Sequence, residues 1–268
     1  MKSPNMYFRN SIRNLLPFLF IGSLIFSSCN TDKKENLAQI SNTTIYIPMD
    51  SIHSGFDSLT KAEILPYKNH VDSMMNVELG FSDKEYFKKK PNGLLNNLSA
   101  DMVLKMTRLN TKGATYYPDF CLLNYGGLRH PLPKGIITLS DVYQLMPFQN
   151  EVVILQLDGK QIDSLFNYIA RSGGQPISGC KLEINNNQYL TAEIDGKKFN
   201  INKTYYLATS DYLANGGDRM SFLKNPIATF KTGYLLRNAM IDYIKAETAQ
   251  GKKIIASDEE RIKIADHD

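Results

Sequence analysis

Residues 119–129, which read DFCLLNYGGLR, place a short apolar segment directly before a glycine-rich loop. The first five residues predict a strand, since a short apolar run bounded by turn-forming residues is typical of one. In the loop, the Asn124 amide offers two donors and one acceptor, and the planar Arg129 guanidinium suits phosphate or carboxylate. Gly126 and Gly127 would let backbone N–H groups approach a ligand closely. Taken alone, the segment is better explained as a tight turn with a solvent-facing arginine.

Two further segments combine an aromatic side chain with loop-forming residues. MPFQN at 146–150 places Phe148 after a proline, where its ring could stack on a heterocyclic base. SDYLANGGD at 210–218 supplies four candidate binding residues: Tyr212, Asn215, Gly217 and Asp218. Taken singly, these segments are better explained by a core phenylalanine and by an aspartate capping a helix over residues 219–223. Together with the first loop they supply every contact that a nucleotide needs.

Hydrophobic periodicity outside these loops predicts alternating strands and helices. Helices are expected over residues 58–75 (interrupted at Pro66), 92–109 (capped by Asn92), 140–146 (capped by Ser140), from the Asp158-Gly159 turn to about 169, and 231–249. Strands are expected over residues 43–48, 119–123, 151–157, 204–209 and 261–265, with a hairpin from 178–184 and 188–194. This mixture of hairpins and helices indicates an α+β fold rather than a regular parallel sheet.

The N-terminal residues predict export. Residues 1–28 combine basic residues with an apolar run of roughly a dozen residues, shorter than the ~20 that span a bilayer. The run ends in Phe26-Ser27-Ser28-Cys29, which looks like a bacterial lipobox. We therefore expect a lipoprotein signal peptide over 1–28, lipidation of Cys29, a polar tether over 29–42 and one domain over 43–268. The expected location is the cell envelope, facing the periplasm or cell surface; a cleaved soluble export signal and an anchor helix are the alternatives.

Charge and cysteine content give no support for nucleic-acid binding or for a disulfide. The formal net charge is +4, but the chain without residues 1–28 carries 28 basic and 27 acidic residues, so no global basic field favours nucleic acid. The lysine run at 88–90 is best explained as a solvated face. Cys121 and Cys180 are better explained as buried free thiols than as a disulfide.

The sequence predicts no catalytic residue, metal ligand or cofactor in this chain. Its four histidines, at positions 53, 70, 130 and 267, include no i, i+4 pair and no cluster with aspartate at metal-ligand spacing. A two-metal phosphoesterase needs several such side chains around its ions. The sequence also contains no phosphate-binding P-loop and no Gly-x-Ser-x-Gly motif.

The three loop segments, in this order, resemble the signature segments of the 5′-nucleotidase C-terminal domain. The resemblance implies a four-layer α/β/β/α sandwich. It also implies a base held between Phe148 and Tyr212, with ribose hydroxyls bound by Asp218. Nucleoside and phosphate-side contacts are implied for Asn124, Gly127 and Arg129. Departures from the family pattern are Tyr125 in place of a glycine, Tyr212 in place of a common phenylalanine, and Lys90 near the position of an upstream arginine.

Family members usually carry a metal-binding phosphoesterase domain before this one. The resemblance therefore implies the nucleotide- or nucleoside-recognition half of a 5′-nucleotidase-type phosphohydrolase, with divalent metals held by a separately encoded metallophosphoesterase. The alternatives are a non-catalytic nucleoside- or nucleotide-binding lipoprotein and a degenerate domain that serves as a scaffold.

Overall fold

A computed structural model of the chain describes residues 54–265, and describes side chains from residue 60 onward. These residues belong to one compact unit. The predicted signal peptide, Cys29, the tether and the strand at 43–48 lie outside the described residues.

Within the described residues, helices and strands alternate along the chain. The helices are α1 Ser54–Met75, α2 Leu94–Asn110, α3 Leu139–Leu145, α4 Gly159–Arg171, α5 Asp211–Ala214 and α6 Leu236–Ala249. The strands are β1 Glu78–Ser82, β2 Phe120–Leu122, β3 Gly135–Thr138, β4 Glu151–Asp158, β5 Ile177–Ser178, β6 Cys180–Asn185, β7 Gln188–Ile194, β8 Lys197–Lys198, β9 Thr204–Ser210, β10 Ala228–Leu235 and β11 Ile262–Ile264. Single 3₁₀ turns cover Tyr125–Gly127, Gly217–Arg219 and Ser221–Leu223.

The strands of the described region form three sheets. The central sheet has the order β10-β4-β9-β2-β5, a second has the order β11-β6-β7-β8, and β1 pairs with β3. Both parallel and antiparallel pairs occur in the first two sheets. The α+β class predicted from the sequence is therefore confirmed.

Two hydrophobic cores lie on opposite faces of the central sheet. In β2 the side chain of Cys121 enters one core, and those of Phe120 and Leu122 enter the other, because successive side chains of a strand point to opposite faces. Helices α2, α3 and α6 complete the first core, and α4 with strands β6 and β7 completes the second. Burial on both faces explains why this strand is a continuous apolar run.

Local sequence signals set several of these elements. Helix α4 begins at a capping box in which Asp158 accepts from the backbone N–H of Gln161 and the Gln161 side chain accepts in return. The β6–β7 hairpin turns through Asn186 and Asn187, both with left-handed φ angles, which asparagine tolerates better than most residues. The hairpin turn and the start of the helix are where the sequence predicts them.

Two predicted boundaries are wrong. Residues 231–235 are the end of strand β10, not the first turn of a helix, because their backbone pairs with β4 and α6 starts only at Leu236. The predicted strand 178–184 is divided at Gly179, whose φ of +77° lets β5 stay in the central sheet while β6 joins the second. An added Cβ at Gly179 would lie 2.7 Å from the Asp119 carbonyl oxygen.

Three predicted helix signals also differ from the structure. Helix α1 continues through Pro66. Gly93, not Asn92, precedes α2, and the Asn92 side chain instead bonds the backbone of Ile262. Thr138, not Ser140, caps α3 in a capping box with Asp141. No helix within residues 54–265 is long and apolar enough to cross a membrane.

Candidate functional site

Strand register brings the three sequence-selected loops to one end of the central sheet. Strand β2 runs parallel to β9, so the segments that follow both strands leave the sheet at the same end. Strand β4 runs antiparallel to β9, with Val152 opposite Ser210, so the segment that precedes β4 also starts there. Asp211 joins two of the loops, because its carboxylate accepts from the backbone N–H groups of Glu151 and Tyr212.

The three loops enclose a cavity of about 310 Å³, at the lower end of the range typical of small-molecule sites. Its lining residues are Asn124, Gly126, Gly127, Arg129, Phe148, Asn150, Tyr212 and Asp218. Seven of the nine residues proposed from the sequence are among them. Phe148 is 39% exposed and Tyr212 43%, so neither is a core aromatic. The interpretation of Phe148 as a core phenylalanine is therefore wrong.

The first loop is shaped by the Asn124 side chain. It folds back over the 3₁₀ turn, so that an added Cβ on Gly127 would lie 2.6 Å from Asn124 Oδ1. An added Cβ on Gly126 would lie 3.8 Å from its nearest neighbour, Asn124 Nδ2. A side chain at Gly127 would therefore displace the Asn124 amide, whereas the absent side chain of Gly126 leaves open space at the cavity.

Arg129 and Phe148 form one wall of the cavity. The Arg129 backbone N–H donates to the Leu145 carbonyl at the end of α3, and Nη1 donates to the Gly126 carbonyl at 3.2 Å. The guanidinium carbon lies 5.6 Å from the centre of the Phe148 ring, within the range of a cation–π contact. The positive charge thus lies beside an exposed aromatic face.

Tyr212 and Asp218 also line the cavity and are joined by reciprocal hydrogen bonds. The Tyr212 hydroxyl donates to Asp218 Oδ1 at 2.8 Å and accepts from the Asp218 backbone N–H at 3.1 Å. Asn124 Nδ2 donates to Oδ2 of the same carboxylate at 2.8 Å.

The predicted helix over 219–223 is absent: Asp218 lies within a 3₁₀ turn, and a second turn follows at Ser221–Leu223.

Asn215 and Gly217 belong to the same loop as Tyr212 but do not line the cavity. The Asn215 side-chain amide donates to the carbonyl of Asp211, the first residue of α5. A Cβ on Gly217 would lie 2.5 Å from the Tyr212 ring, so only glycine lets that ring pack on the backbone. Gly217 thus helps to place Tyr212. The contact with a ligand predicted for Asn215 and Gly217 remains a prediction.

Sequence reasoning did not select three polar residues of the site. Asn150 lines the cavity within a quoted motif. Tyr168 belongs to helix α4, and its hydroxyl donates a 2.8 Å hydrogen bond to the Asp218 carbonyl. Burial, and to a smaller extent the nearby Asp218 charge, raises the Tyr168 pKa. Buried Gln175 accepts from the backbone N–H of Tyr125. Tyr168 and Gln175 lie outside any local motif, so only their contacts identify them.

The lysine run at 88–90 is not uniformly solvated. Lys88 Nζ donates to the Leu128 carbonyl at 2.7 Å and to the Tyr125 carbonyl at 3.3 Å, on the loop that carries Arg129. Burial, with a smaller effect from the positive Arg129, lowers the Lys88 pKa. Lys88 and Lys90 lie 4.6 and 5.1 Å from the centre of the Tyr125 ring. The Tyr125 ring thus lies within cation–π range of two lysine side chains.

The two cysteine thiols do not line this cavity. Cys121 and Cys180 are buried and free, which confirms the thiol assignment, and burial raises the pKa of each. Among residues 54–265, no group of three or more His, Cys, Asp or Glu side chains could hold a metal ion.

The structure is thus an α+β domain with an open cavity, lined by two aromatic side chains, at one end of its central sheet. The family model of the 5′-nucleotidase C-terminal domain matches residues 76–225. The chain belongs to this family. The match includes all three loops and every residue that lines the cavity.

Individual relatives support the same assignment. The trifunctional nucleotide phosphoesterase protein YfkN of Bacillus subtilis is 28% identical over 239 residues, which cover 81% of this chain and 16% of the relative. The 5′-nucleotidase of Vibrio cholerae is 26% identical over 135 residues, which cover 48% of this chain and 24% of the relative. The crystal structure of a 5′-nucleotidase precursor from Thermus thermophilus superposes with a TM-score of 0.65 at 25% identity, covering 79% of this chain and 44% of that one.

This chain therefore matches a quarter or less of each of the two curated relatives. The likeness establishes the domain family. Activities of those relatives that depend on the rest of their length are not established for this chain by the match.

Proposed function

We propose that this chain is the nucleotide- or nucleoside-recognition half of a 5′-nucleotidase-type phosphohydrolase, with hydrolysis carried out by a separately encoded metallophosphoesterase. One observation carries the proposal: the rings of Phe148 and Tyr212, the Arg129 guanidinium and the Asp218 carboxylate all line a single open cavity. These groups match the three chemical parts of a nucleotide, which are a flat base, a sugar diol and an anionic phosphate.

Each kind of side chain has a distinct role in this proposal. The exposed faces of Phe148 and Tyr212 stack on the base, and stacking on an aromatic side chain contributes roughly 1–3 kcal/mol per base. The Asp218 carboxylate accepts hydrogen bonds from the sugar hydroxyls, since each of its oxygens has a lone pair beyond the one that protein donors use. Arg129 faces the phosphate side, where a guanidinium forms charge-assisted hydrogen bonds.

The partner would contribute the reactive groups. Its divalent metals would supply a metal-activated water as the nucleophile. The residues of this chain would hold the nucleotide by its base and sugar, so that the phosphate extends towards the partner. Fixing the substrate in this way raises the effective concentration of the reacting groups.

We further propose that residues 1–28 direct export and that Cys29 is lipidated, which would place the protein in the cell envelope facing the periplasm or cell surface. A diacylglyceryl group with a further acyl chain anchors a protein stably, because each buried methylene contributes about 0.8 kcal/mol. Metabolic labelling with a tagged fatty acid tests this proposal. Label should enter the wild-type chain and be absent from Cys29→Ala; equal labelling of both would refute it.

Co-expression with an exported metallophosphoesterase tests the division of labour. Phosphate release from AMP should rise when both chains are present, and Asp218→Ala should lose most of that rise. The matched control is Asp258→Ala, which removes a carboxylate that does not line the cavity. No rise with two folded chains would count against the split enzyme. Tight nucleoside binding in that case would favour the non-catalytic binding lipoprotein.

A further inference from the structure

The Tyr212 hydroxyl makes two hydrogen bonds to one residue. It donates to Oδ1 of Asp218 at 2.8 Å and accepts from the backbone N–H of Asp218 at 3.1 Å. The ring of Tyr212 also lines the cavity. A phenylalanine would keep the stacking face and lose both hydrogen bonds, so the hydroxyl has a role that is separable from that of the ring.

Asp218 has an unusual backbone conformation that these bonds support. Its φ and ψ are 50° and 32°, and Arg219 follows with a φ of 65°. Non-glycine residues rarely adopt the left-handed region, and they persist there when surrounding contacts hold them. The Tyr168 hydroxyl holds the Asp218 carbonyl at 2.8 Å, and the Tyr212 hydroxyl holds its N–H.

The carboxylate itself is held at both oxygens. Tyr212 donates to Oδ1, and Asn124 Nδ2 donates to Oδ2 at 2.8 Å. An ionised carboxylate has about four acceptor positions, so each oxygen keeps capacity for one more donor. Two oxygens with fixed orientation and one free position each match the two hydroxyls of a cis-diol.

We propose that the Tyr212 hydroxyl is a positioning group that orients Asp218 to select ribonucleosides over 2′-deoxyribonucleosides. This inference rests on the proposed function. A ribose supplies both hydroxyls, whereas a 2′-deoxyribose supplies one and leaves one carboxylate oxygen without its second donor. Sites built to bond a substrate hydroxyl discriminate strongly against an analogue that lacks it, because their polar groups are left unpaired.

The same contacts allow an opposite mechanism. If the Tyr212 hydroxyl instead occupied the position needed by the sugar, its removal would free Asp218 and strengthen diol binding. The two mechanisms predict opposite changes for Tyr212→Phe, which makes the substitution decisive.

The test is calorimetric titration of the full chain, purified in detergent, with adenosine and with 2′-deoxyadenosine. The wild type should favour adenosine by about tenfold or more, the value of one hydrogen bond to a charged group. Tyr212→Phe should reduce this ratio at least about fivefold and change the 2′-deoxyadenosine affinity less than about threefold, since the ring remains. Tyr116→Phe, which alters a ring stacked on Phe230, is the matched control and should keep the ratio.

Every outcome bears on the inference. An unchanged or increased ratio in Tyr212→Phe overturns it, and if Asp218→Asn then still abolishes the ratio, the carboxylate alone selects the diol. A wild type that binds both nucleosides equally overturns the inference and leaves base recognition intact. A wild type that binds neither overturns the proposed function as well. If Tyr212→Phe fails to fold, Tyr168→Phe removes the hydrogen bond to the Asp218 carbonyl and should lower the same ratio.

Discussion

Asn124 and Asp218 are 94 positions apart in the sequence, yet Asn124 Nδ2 donates a 2.8 Å hydrogen bond to Asp218 Oδ2. Asn124 follows β2, and Asp218 lies in the segment after β9; the two strands are parallel neighbours. The bond therefore joins the first and third loops across one wall of the cavity. It makes each loop depend on the other for its geometry.

Replacing Asn124 by alanine should weaken nucleoside binding about 10- to 100-fold, because a hydrogen bond to a charged group contributes roughly 1.5–3 kcal/mol. The loss has two sources, the missing amide and the released Asp218 carboxylate. Calorimetric titration with adenosine measures it. Asn202→Ala, at an exposed position in a different loop, should bind as the wild type does. Equal affinity in Asn124→Ala would contradict the role of the linked loops.

Removing either exposed ring of the cavity should weaken binding through loss of stacking. Phe148→Ala and Tyr212→Ala should each lower adenosine affinity by about 5- to 150-fold, the equivalent of about 1–3 kcal/mol per base. Phe87→Ala truncates a ring that is 58% exposed but does not line the cavity, so it should leave the affinity unchanged. An effect of Phe87→Ala equal to that of Phe148→Ala would contradict a base held between the rings of Phe148 and Tyr212.

The two adjacent glycines of the first loop should respond differently to alanine. At Gly127 the new methyl group would lie 2.6 Å from Asn124 Oδ1, so the variant should unfold about 1–3 kcal/mol more easily, as overpacked sites do. At Gly126 the nearest atom is 3.8 Å away, so stability should stay within about 0.5 kcal/mol of the wild type.

Gly126→Ala should nevertheless reduce nucleoside affinity, because Gly126 lines the cavity and its new methyl group would occupy ligand space. Urea denaturation and titration with adenosine together separate the two effects. Equal destabilisation of both variants would show that the loop does not have the contacts described here.

The buried thiols should make stability depend on alkaline pH. Burial raises the Cys180 pKa to about 12 and the Cys121 pKa further, whereas unfolded thiols titrate near 8.5. The folded state therefore holds the thiol protons more tightly. The stabilisation is complete below about pH 8.5 and is lost as pH rises, by about 1.4 kcal/mol per thiol and pH unit.

Urea denaturation at pH 7.5 and 9.5 measures this loss. The double variant Cys121→Ala with Cys180→Ala should show a shallower decrease in unfolding free energy than the wild type over the same interval. Other titrating groups are common to both proteins and cancel in the comparison. Parallel pH profiles would show that the two thiols titrate normally in the folded chain.

Local sequence was sufficient where neighbours in the chain decide the structure. Helix α4 follows from its apolar spacing and the Asp158–Gln161 capping box, and the β6–β7 hairpin follows from its asparagine turn. The same reasoning failed at residues 231–235, where the apolar positions fit a helix but pairing with β4 makes a strand. A short segment cannot report a partner strand that lies about 80 residues earlier.

The sequence by itself determined which side chains stand in the three loops, because strand ends, glycine pairs and aromatic residues beside turn-forming residues are local patterns, whereas the exposure of Phe148 and Tyr212 is a result of the structure. Only the tertiary structure decided that Tyr212 and Asn124 hold the two oxygens of Asp218, that Tyr168 supports its carbonyl, and that Lys88 lies against the first loop. The physical reason is that these bonds depend on strand order and register. Both are set by burial and pairing summed over the whole sheet, and neither is encoded in any single segment.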